Sequence, residues 1–256
     1  MELQIITKEL LADFLQIAEN LGEKFNDLKE SEITSENFSF YTSVSSVFSS
    51  KIEGEDIDLD SFIKHKKLGV EFQPDYTKKI DDLYDAYVFA KSNRLNEDSL
   101  SQVHRILSKN LLSENQQGVS RKGNMYVLSD DGNIEYVAIS PYQIDAEMTK
   151  FFFDLDLLLK EAMSVEEVFY YASFLHLVFV KIHPWNDGNG RTGRLLEKWF
   201  IAEKLGEKAW FLQSEKYYYL QHQGYYNAIR KLGLEYEMVD YSKAMDFLLM
   251  LKNSLN

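Results

Sequence analysis

The chain has 256 residues, 45% apolar and 27% charged, with 28 lysines and arginines against 41 aspartates and glutamates, a formal net charge of −13. That length suits one large domain or a core with appendages and allows a substantial core, and the acidic balance argues against nonspecific binding to nucleic acid or to an anionic membrane. Cysteine is absent, which excludes disulfides and thiol catalysis.

Met1-Glu2-Leu3-Gln4 lacks the basic and apolar regions of a signal peptide, so a cytoplasmic location is expected. Only three prolines and twelve glycines occur, which favours helices. Leu10, Leu11, Phe14, Leu15, Ala18 and Leu21 recur at helical spacing and predict a helix over Thr7 to Phe25. Lys24 to Glu32 is polar and reads as a connector. From Ser35 a second helix repeats Phe40, Val44, Val47, Phe48 and Ile52 before Gly54, a natural residue just past a helix end. Glu53 is an acid at that C-terminus, where the helix dipole disfavours negative charge, so a partner cation is expected.

Ile57 to Lys66 reads as a short helix, Phe72 to Asp75 as a turn around Pro74, and Tyr76 to Leu95 as a helix. Asn96-Glu97-Asp98 caps the next, whose Leu100, Val103, Ile106 and Leu107 face inward. His104 lies beside that stripe and reads as structural. Gly118 to Pro141 changes character: Met125 to Leu128 and Ile134 to Val137 flank Ser129-Asp130-Asp131-Gly132-Asn133, which predicts a β-hairpin with a five-residue loop. Tyr142 to Leu159 is amphipathic. Val165 to Ile182 is long and apolar but contains Glu166, Glu167, His176 and Lys181, so it reads as a buried central helix and not a membrane span.

His183-Pro184-Trp185-Asn186-Asp187-Gly188-Asn189-Gly190-Arg191-Thr192-Gly193-Arg194 follows. Pro184 stops the central helix, Gly188 and Gly190 permit a sharp turn, and a second helix begins near Gly190. Its free N–H groups and positive dipole end make an anion site. Arg191 and Arg194, three apart, share a helical face and can fork onto phosphate oxygens. Asp187 is a hard oxygen ligand for magnesium, and His183 could take a proton from a hydroxyl. The spacing does not fit an EF-hand, since Arg191 and Lys198 fall where ligands belong, and no Gly-Lys-Ser/Thr follows as in a Walker loop. Beyond it, Ser214 to Leu232 is a tyrosine-rich helix and Tyr241 to Leu255 a closing one. No repeats occur.

The twelve-residue string matches the motif of Fic proteins, HPFx(D/E)GN(G/K)RxxR, at every defined position except Trp185, which keeps an aromatic. The sequence thus resembles the Fic (filamentation induced by cAMP) family. Ser49-Ser50-Lys51-Ile52-Glu53-Gly54 likewise resembles that family's inhibitory motif, (S/T)xxxE(G/N), in the class whose inhibitory helix precedes the core. The resemblance implies an all-α Fic fold, a helical bundle with a small β-hairpin flap. Residues 1–95 would form an N-terminal region carrying the inhibitory helix (35–54), and 96–206 the core with flap (118–141) and motif loop (183–194). Residues 207–256 would complete the domain.

Its implied activity is protein adenylyltransfer: AMP passes from ATP, with Mg²⁺, to a Ser, Thr or Tyr hydroxyl of a target docked at the flap, the chain itself included. His183 would be the base and Asp187 the metal ligand. Gly188, Asn189 and Gly190 would line the anion hole, Arg191 and Arg194 would hold phosphates, and Tyr226 would lie near the adenine. Ser49, Glu53 and Gly54 would form the inhibitory turn, with Glu53 pairing Arg194. Arg121 and the Ser140-Pro141 end resemble the family's flap region loosely. Removal of AMP with Glu53 positioning water, transfer of another phosphate-containing group, and a non-catalytic nucleotide-binding module are the alternatives. A homodimer stays open; nucleic-acid and membrane partners are not expected.

Overall fold

The computed structural model describes residues 2–28, 35–70, 72–128 and 134–255. At its start, the backbone N–H groups of Gln4, Ile5 and Ile6 donate to the buried carboxylate of Asp154 at 2.7, 2.8 and 2.8 Å. Where periodicity predicts one helix over Thr7 to Phe25 there are two, α1 (Leu11–Ile17) and α2 (Leu21–Asn26). Asn20 breaks the ladder by adopting φ 65°, a left-handed conformation that asparagine tolerates better than most residues. The apolar period survives the break: Phe14, Ala18, Leu21 and Phe25 are all buried. Of the expected connector, residues 24–26 belong to α2 and residues 29–32 lie outside the described residues.

Four helices follow: α3 (Ser35–Ile52), α4 (Leu59–Leu68), α5 (Pro74–Ser92) and α6 (Glu97–Leu107). Gly54 takes φ 89° just beyond α3, the left-handed turn its position predicts. Asp58 caps α4 by accepting from Ser61 N, Pro74 occupies the first turn of α5, and Asn96 forms a reciprocal capping box with Ser99. The apolar stripe expected of α3 holds at Val44, Val47 and Ile52, which are buried, but the buried side is broader than that stripe. Phe40 is exposed, while Thr42, Ser43, Ser45, Ser46, Ser49 and Ser50 are buried. Two of these serines, Ser45 and Ser49, have charged partners on a neighbouring helix, while Ser43 and Ser46 donate to carbonyls of α3 itself.

β1 (Tyr126–Leu128) and β2 (Ile134–Val137) pair antiparallel, with Tyr126 opposite Val137; the intervening loop 129–133 lies outside the described residues. The end of β2 is not free, because Val137 N donates to Leu234 O at 2.8 Å. Then come α7 (Ile144–Lys160), α8 (Val165–Ile182), α9 (Asn189–Leu205), α10 (Ser214–Leu220), α11 (His222–Arg230) and α12 (Met245–Asn253). The tyrosine-rich stretch is therefore two helices, broken at Gln221, which leaves helical dihedrals at φ −104°, ψ 29°. Tyr218 and Tyr225, on either side of the break, both reach the core against His176.

The chain is thus an all-α bundle with a small hairpin, and α8 is its centre. Ser164 and Glu167 form a capping box that starts α8. Every residue from Val168 to Ile182 is buried, under cover from α9, α7, α12, α1 and α2. α9 comes closest because residue 193 is glycine. A Cβ there would sit 2.8 Å from His176 Cδ2 and 2.9 Å from a Val180 methyl. Among the described residues no helix is long and apolar enough to cross a membrane.

Candidate active site

The loop between α8 and α9 is built by its own side chains. His183 ends α8 at φ 53°, ψ 59°, a left-handed conformation unusual for a residue that precedes proline. Arg121, 2% exposed, clamps this turn. Its Nε donates to His183 O at 2.8 Å and its backbone N to Pro184 O at 2.9 Å. Its Nη1 and Nη2 donate to Gly123 O and Ile139 O, on the two sides of the hairpin. Trp185 is buried and stacks on His104 at 3.8 Å. His104 accepts from Gly118 N at Nδ1 (2.8 Å) and so donates through Nε2 to Asp187 O (2.9 Å). Asn189 holds both backbone groups of Trp185 with its amide, at 3.0 and 2.9 Å. Gly188, at φ 78°, makes the last turn before α9.

Arg191, Arg194 and Lys198 recur along one face of α9, and α3 answers them residue by residue. Lys198 Nζ donates to Ser45 Oγ and to Glu215, both at 2.6 Å. Arg194 donates from Nε to Ser49 Oγ at 2.8 Å, and from Nη2 to Ser49 O at 3.0 Å and Glu53 Oε1 at 2.6 Å. Arg191 Nη2 meets Glu55 Oε1 at 2.6 Å. The short serine side chains let α3 approach and serve as acceptors for the buried cations. Burial alone would raise the Glu53 carboxyl, but Arg194 and Arg191 outweigh it and hold it below the ordinary carboxylate range. A methyl group on Gly190 would press on the Glu53 carboxylate, so glycine at that position leaves the pair its present geometry.

A half-open cavity lies over this junction. Its lining combines Glu53, His183, Arg194, Lys181 and Arg230 with Gly190 and with the apolar and aromatic side chains of Val127, Tyr136, Val180, Tyr225, Tyr226 and Ile229. Burial, with lesser help from Arg121, lowers His183 to about 4, so the imidazole is neutral at pH 7. Its Nδ1 donates to Val180 O at 3.2 Å, which leaves Nε2 as the unprotonated nitrogen. Behind Arg194 runs a buried polar chain. Its Nη1 reaches Tyr225 OH at 3.4 Å, that hydroxyl lies 3.0 Å from His176 Nε2, and His176 Nδ1 lies 2.9 Å from Glu197.

The residues singled out from sequence therefore divide. His183, Gly190, Arg194, Glu53 and Tyr226 meet in the cavity. Ser49 and Gly54 shape the turn that delivers Glu53. Asn189 is turned inward, bracing the loop, and Arg191 is turned to Glu55, away from the cavity lining. Asp187 is half exposed, its Oδ1 accepting from Gly188 N at 2.6 Å. Sequence reading missed Glu55 and the clamping role of Arg121. The signal for Glu55 was present: two acids, two apart, immediately beyond a helix whose Glu53 was expected to pair with Arg194.

Residues 94–201 match the model of the Fic/DOC family. The chain is similar in structure to a Fic family protein from Desulfovibrio desulfuricans G20, with TM-score 0.79, 18% identity, and 100% of this chain and 75% of that one covered. It is also similar to a Fic domain containing signaling protein from Bacteroides thetaiotaomicron VPI-5482, with TM-score 0.69, 18% identity and 93% of each chain covered. A third likeness is to Fic-1 (residues 134–508) from C. elegans, with TM-score 0.67, 16% identity, and 95% of this chain and 69% of that one covered. At these identities the likeness is one of fold. No curated protein matches the chain.

Proposed function

We propose that the chain, whose residues 94–201 match the Fic/DOC family model, is a protein adenylyltransferase held in check by its own Glu53. The observation that carries this reading is the 2.6 Å ion pair of Glu53 with Arg194, beside a neutral His183 whose Nε2 has no hydrogen bond among the described residues.

In the active arrangement, Nε2 of His183 takes the proton of a Ser, Thr or Tyr hydroxyl on the target protein. The hydroxyl oxygen then bonds to the α-phosphorus of ATP, the bond from that phosphorus to the bridging oxygen breaks, and pyrophosphate leaves. Backbone N–H groups at the start of α9, with Arg194 and Arg191, stabilise the phosphate charge. Tyr226 flanks the adenine, and the hairpin holds the target segment by strand addition. Magnesium fits the donor set as an ion carried with the phosphates. Asp187 is one accessible carboxylate, and magnesium is commonly held by one or two carboxylates plus phosphate oxygens. Bound there, the ion would offset phosphate charge.

While Glu53 occupies Arg194, the γ-phosphate lacks its anchor and the α-phosphorus is misplaced relative to His183. A misplacement of about 1 Å costs roughly 10²-fold in rate. The test is label transfer from α-labelled ATP with Mg²⁺. Glu53→Gly should label protein far more strongly than the wild type, and Arg194→Ala added to it should lower the labelling again. Equal labelling of wild type and Glu53→Gly would remove autoinhibition from the reading.

A second reading rests on the same carboxylate. Glu53 is ionised and a quarter exposed in the cavity, so it could orient a water toward the phosphorus of an AMP-modified protein. Loss of AMP removal in Glu53→Gly, without a gain in transfer, would favour it.

A further inference from the structure

Glu55 was not among the residues that the sequence singled out, yet it is 3% exposed and sits at the centre of a charge cluster. Its Oε1 lies 2.6 Å from Arg191 Nη2 and 3.4 Å from Lys79 Nζ. The pairing is incomplete in a telling way. An arginine fork and a carboxylate normally make two parallel bonds. Here Glu55 Oε2 and Arg191 Nε are both buried and neither has a hydrogen-bond partner among the described residues. A buried donor left unpaired is expensive to keep, and this one belongs to an arginine expected to hold phosphate.

The surroundings show what exchange would involve. Arg194 lines the cavity and Arg191 does not. Arg191 Nη1 is 3.8 Å from Asp187 Oδ1, so its guanidinium is beside the loop but turned from the open space. Were Arg191 to swing toward an oxyanion in the cavity, its idle Nε would gain an acceptor. The Glu55 carboxylate would then be a buried, uncompensated charge, were it not for Lys79. That lysine, on α5 and 30% exposed, already stands within ion-pair distance.

We propose that Glu55 is a positioning residue of this site: it holds Arg191 turned away from the cavity, and triphosphate binding passes Arg191 from Glu55 to the phosphates while Lys79 takes over the carboxylate. The step is an exchange of ion-pair partners, with no bond made or broken and no proton moved. It rests on the reading of the cavity as a nucleoside triphosphate site and adds a second carboxylate to its control. Glu53 and Glu55 leave α3 two residues apart, so one turn of chain governs both arginines.

The experiment measures MgATP affinity by calorimetry in the Glu53→Gly background, where Arg194 is released. Glu55→Gln keeps the shape and an acceptor oxygen but removes the charge, and should tighten binding roughly tenfold, about one charge-assisted hydrogen bond. Glu55→Asp, which keeps the charge, should restore the parent affinity. Lys79→Met should act in the opposite direction, weakening binding several-fold, because Glu55 then has only Arg191. In the Glu55→Gln background Lys79→Met should change little, a coupling that a merely structural role would not produce. Unchanged or weaker affinity in Glu55→Gln, or tighter affinity in Lys79→Met, overturns the proposal. If Glu53→Gly binds no MgATP, the nucleotide reading fails. The same comparison with inorganic triphosphate then tests Glu55 by itself.

Discussion

His183 combines three properties that are separate in origin. Its left-handed backbone, adopted in spite of the following Pro184, is held by Arg121; its neutral ring follows from burial; and its free Nε2 follows from the Nδ1 contact with Val180 O. Under the proposed chemistry, His183→Ala should reduce AMP transfer about 10²–10⁴-fold while ATP binding persists, because the imidazole acts on the hydroxyl and not on the phosphates. Parallel labelling and binding assays decide this, and unchanged labelling would take the base role from His183. Arg121 makes the backbone of that residue affordable. A left-handed non-glycine residue carries about 1–3 kcal/mol of strain, and the guanidinium holds the strained carbonyl while tying it to both sides of the hairpin. Arg121→Lys keeps the charge but cannot make three divergent contacts. It should lower the transfer rate more than it raises KM for ATP. A rise in KM for ATP larger than the fall in transfer rate, with normal folding, would mean that Arg121 serves the nucleotide and not the histidine.

At the scale of elements, the junction of α3 with α9 decides how the site is set. Helix α9 carries Arg191, Arg194 and Lys198 on a buried face, and α3 and the residues after it supply Glu55, Glu53, Ser49 and Ser45 in reverse order. This is where sequence reading was half blind. The twelve-residue loop and the Ser49–Gly54 string were legible because each needs particular residue types at fixed spacing. The helix start at Asn96 was legible because capping chemistry is local, whereas Pro74 and Asp75, read as part of a turn, form the first turn of α5. The buried serine face of α3 was not, since serine reads as solvent-facing until a cation is known to lie opposite. The breaks at Asn20 and Gln221 were also hidden, because the apolar period runs straight across both. Lys198 tests the junction away from the cavity. It is 1% exposed and joins Ser45, the Leu212 carbonyl and Glu215, which also accepts from Tyr87. Lys198→Met fills the volume but strands the Glu215 charge, which should destabilise by about 3–5 kcal/mol. Chemical denaturation measures it. A loss below about 1 kcal/mol would show that Glu215 finds another partner and that the cluster is not what fastens α3.

Across the whole molecule, the acidic surface and the neutral interior histidines pull in different directions as pH falls. The formal charge of −13 at pH 7 shrinks as carboxylates protonate, which relieves repulsion over the surface. His104 works against this. It is completely buried under Trp185, and burial holds it at about 4, outweighing the opposing effect of the Asp187 carbonyl. An unfolded chain would protonate the same ring near its ordinary value of 6.5. Above that value neither state binds the proton, and the full stability is present. Between about 6.5 and 4 the unfolded chain takes up a proton that the folded chain refuses, so stability falls as pH falls. A gap of that width corresponds to roughly 3 kcal/mol by the bottom of the window. His183 shifts in the same direction and adds to the slope. Proton NMR titration should show the His104 and His183 rings still neutral at pH 5, and the His104 signal should be absent in His104→Asn. The melting temperature of that variant should then depend less steeply on pH between 7 and 5 than that of the wild type. If the slopes are parallel, His104 is not what links acid to unfolding. The brace it forms between residue 118, at the approach to the hairpin, and the Asp187 carbonyl would then hold the loop by geometry alone.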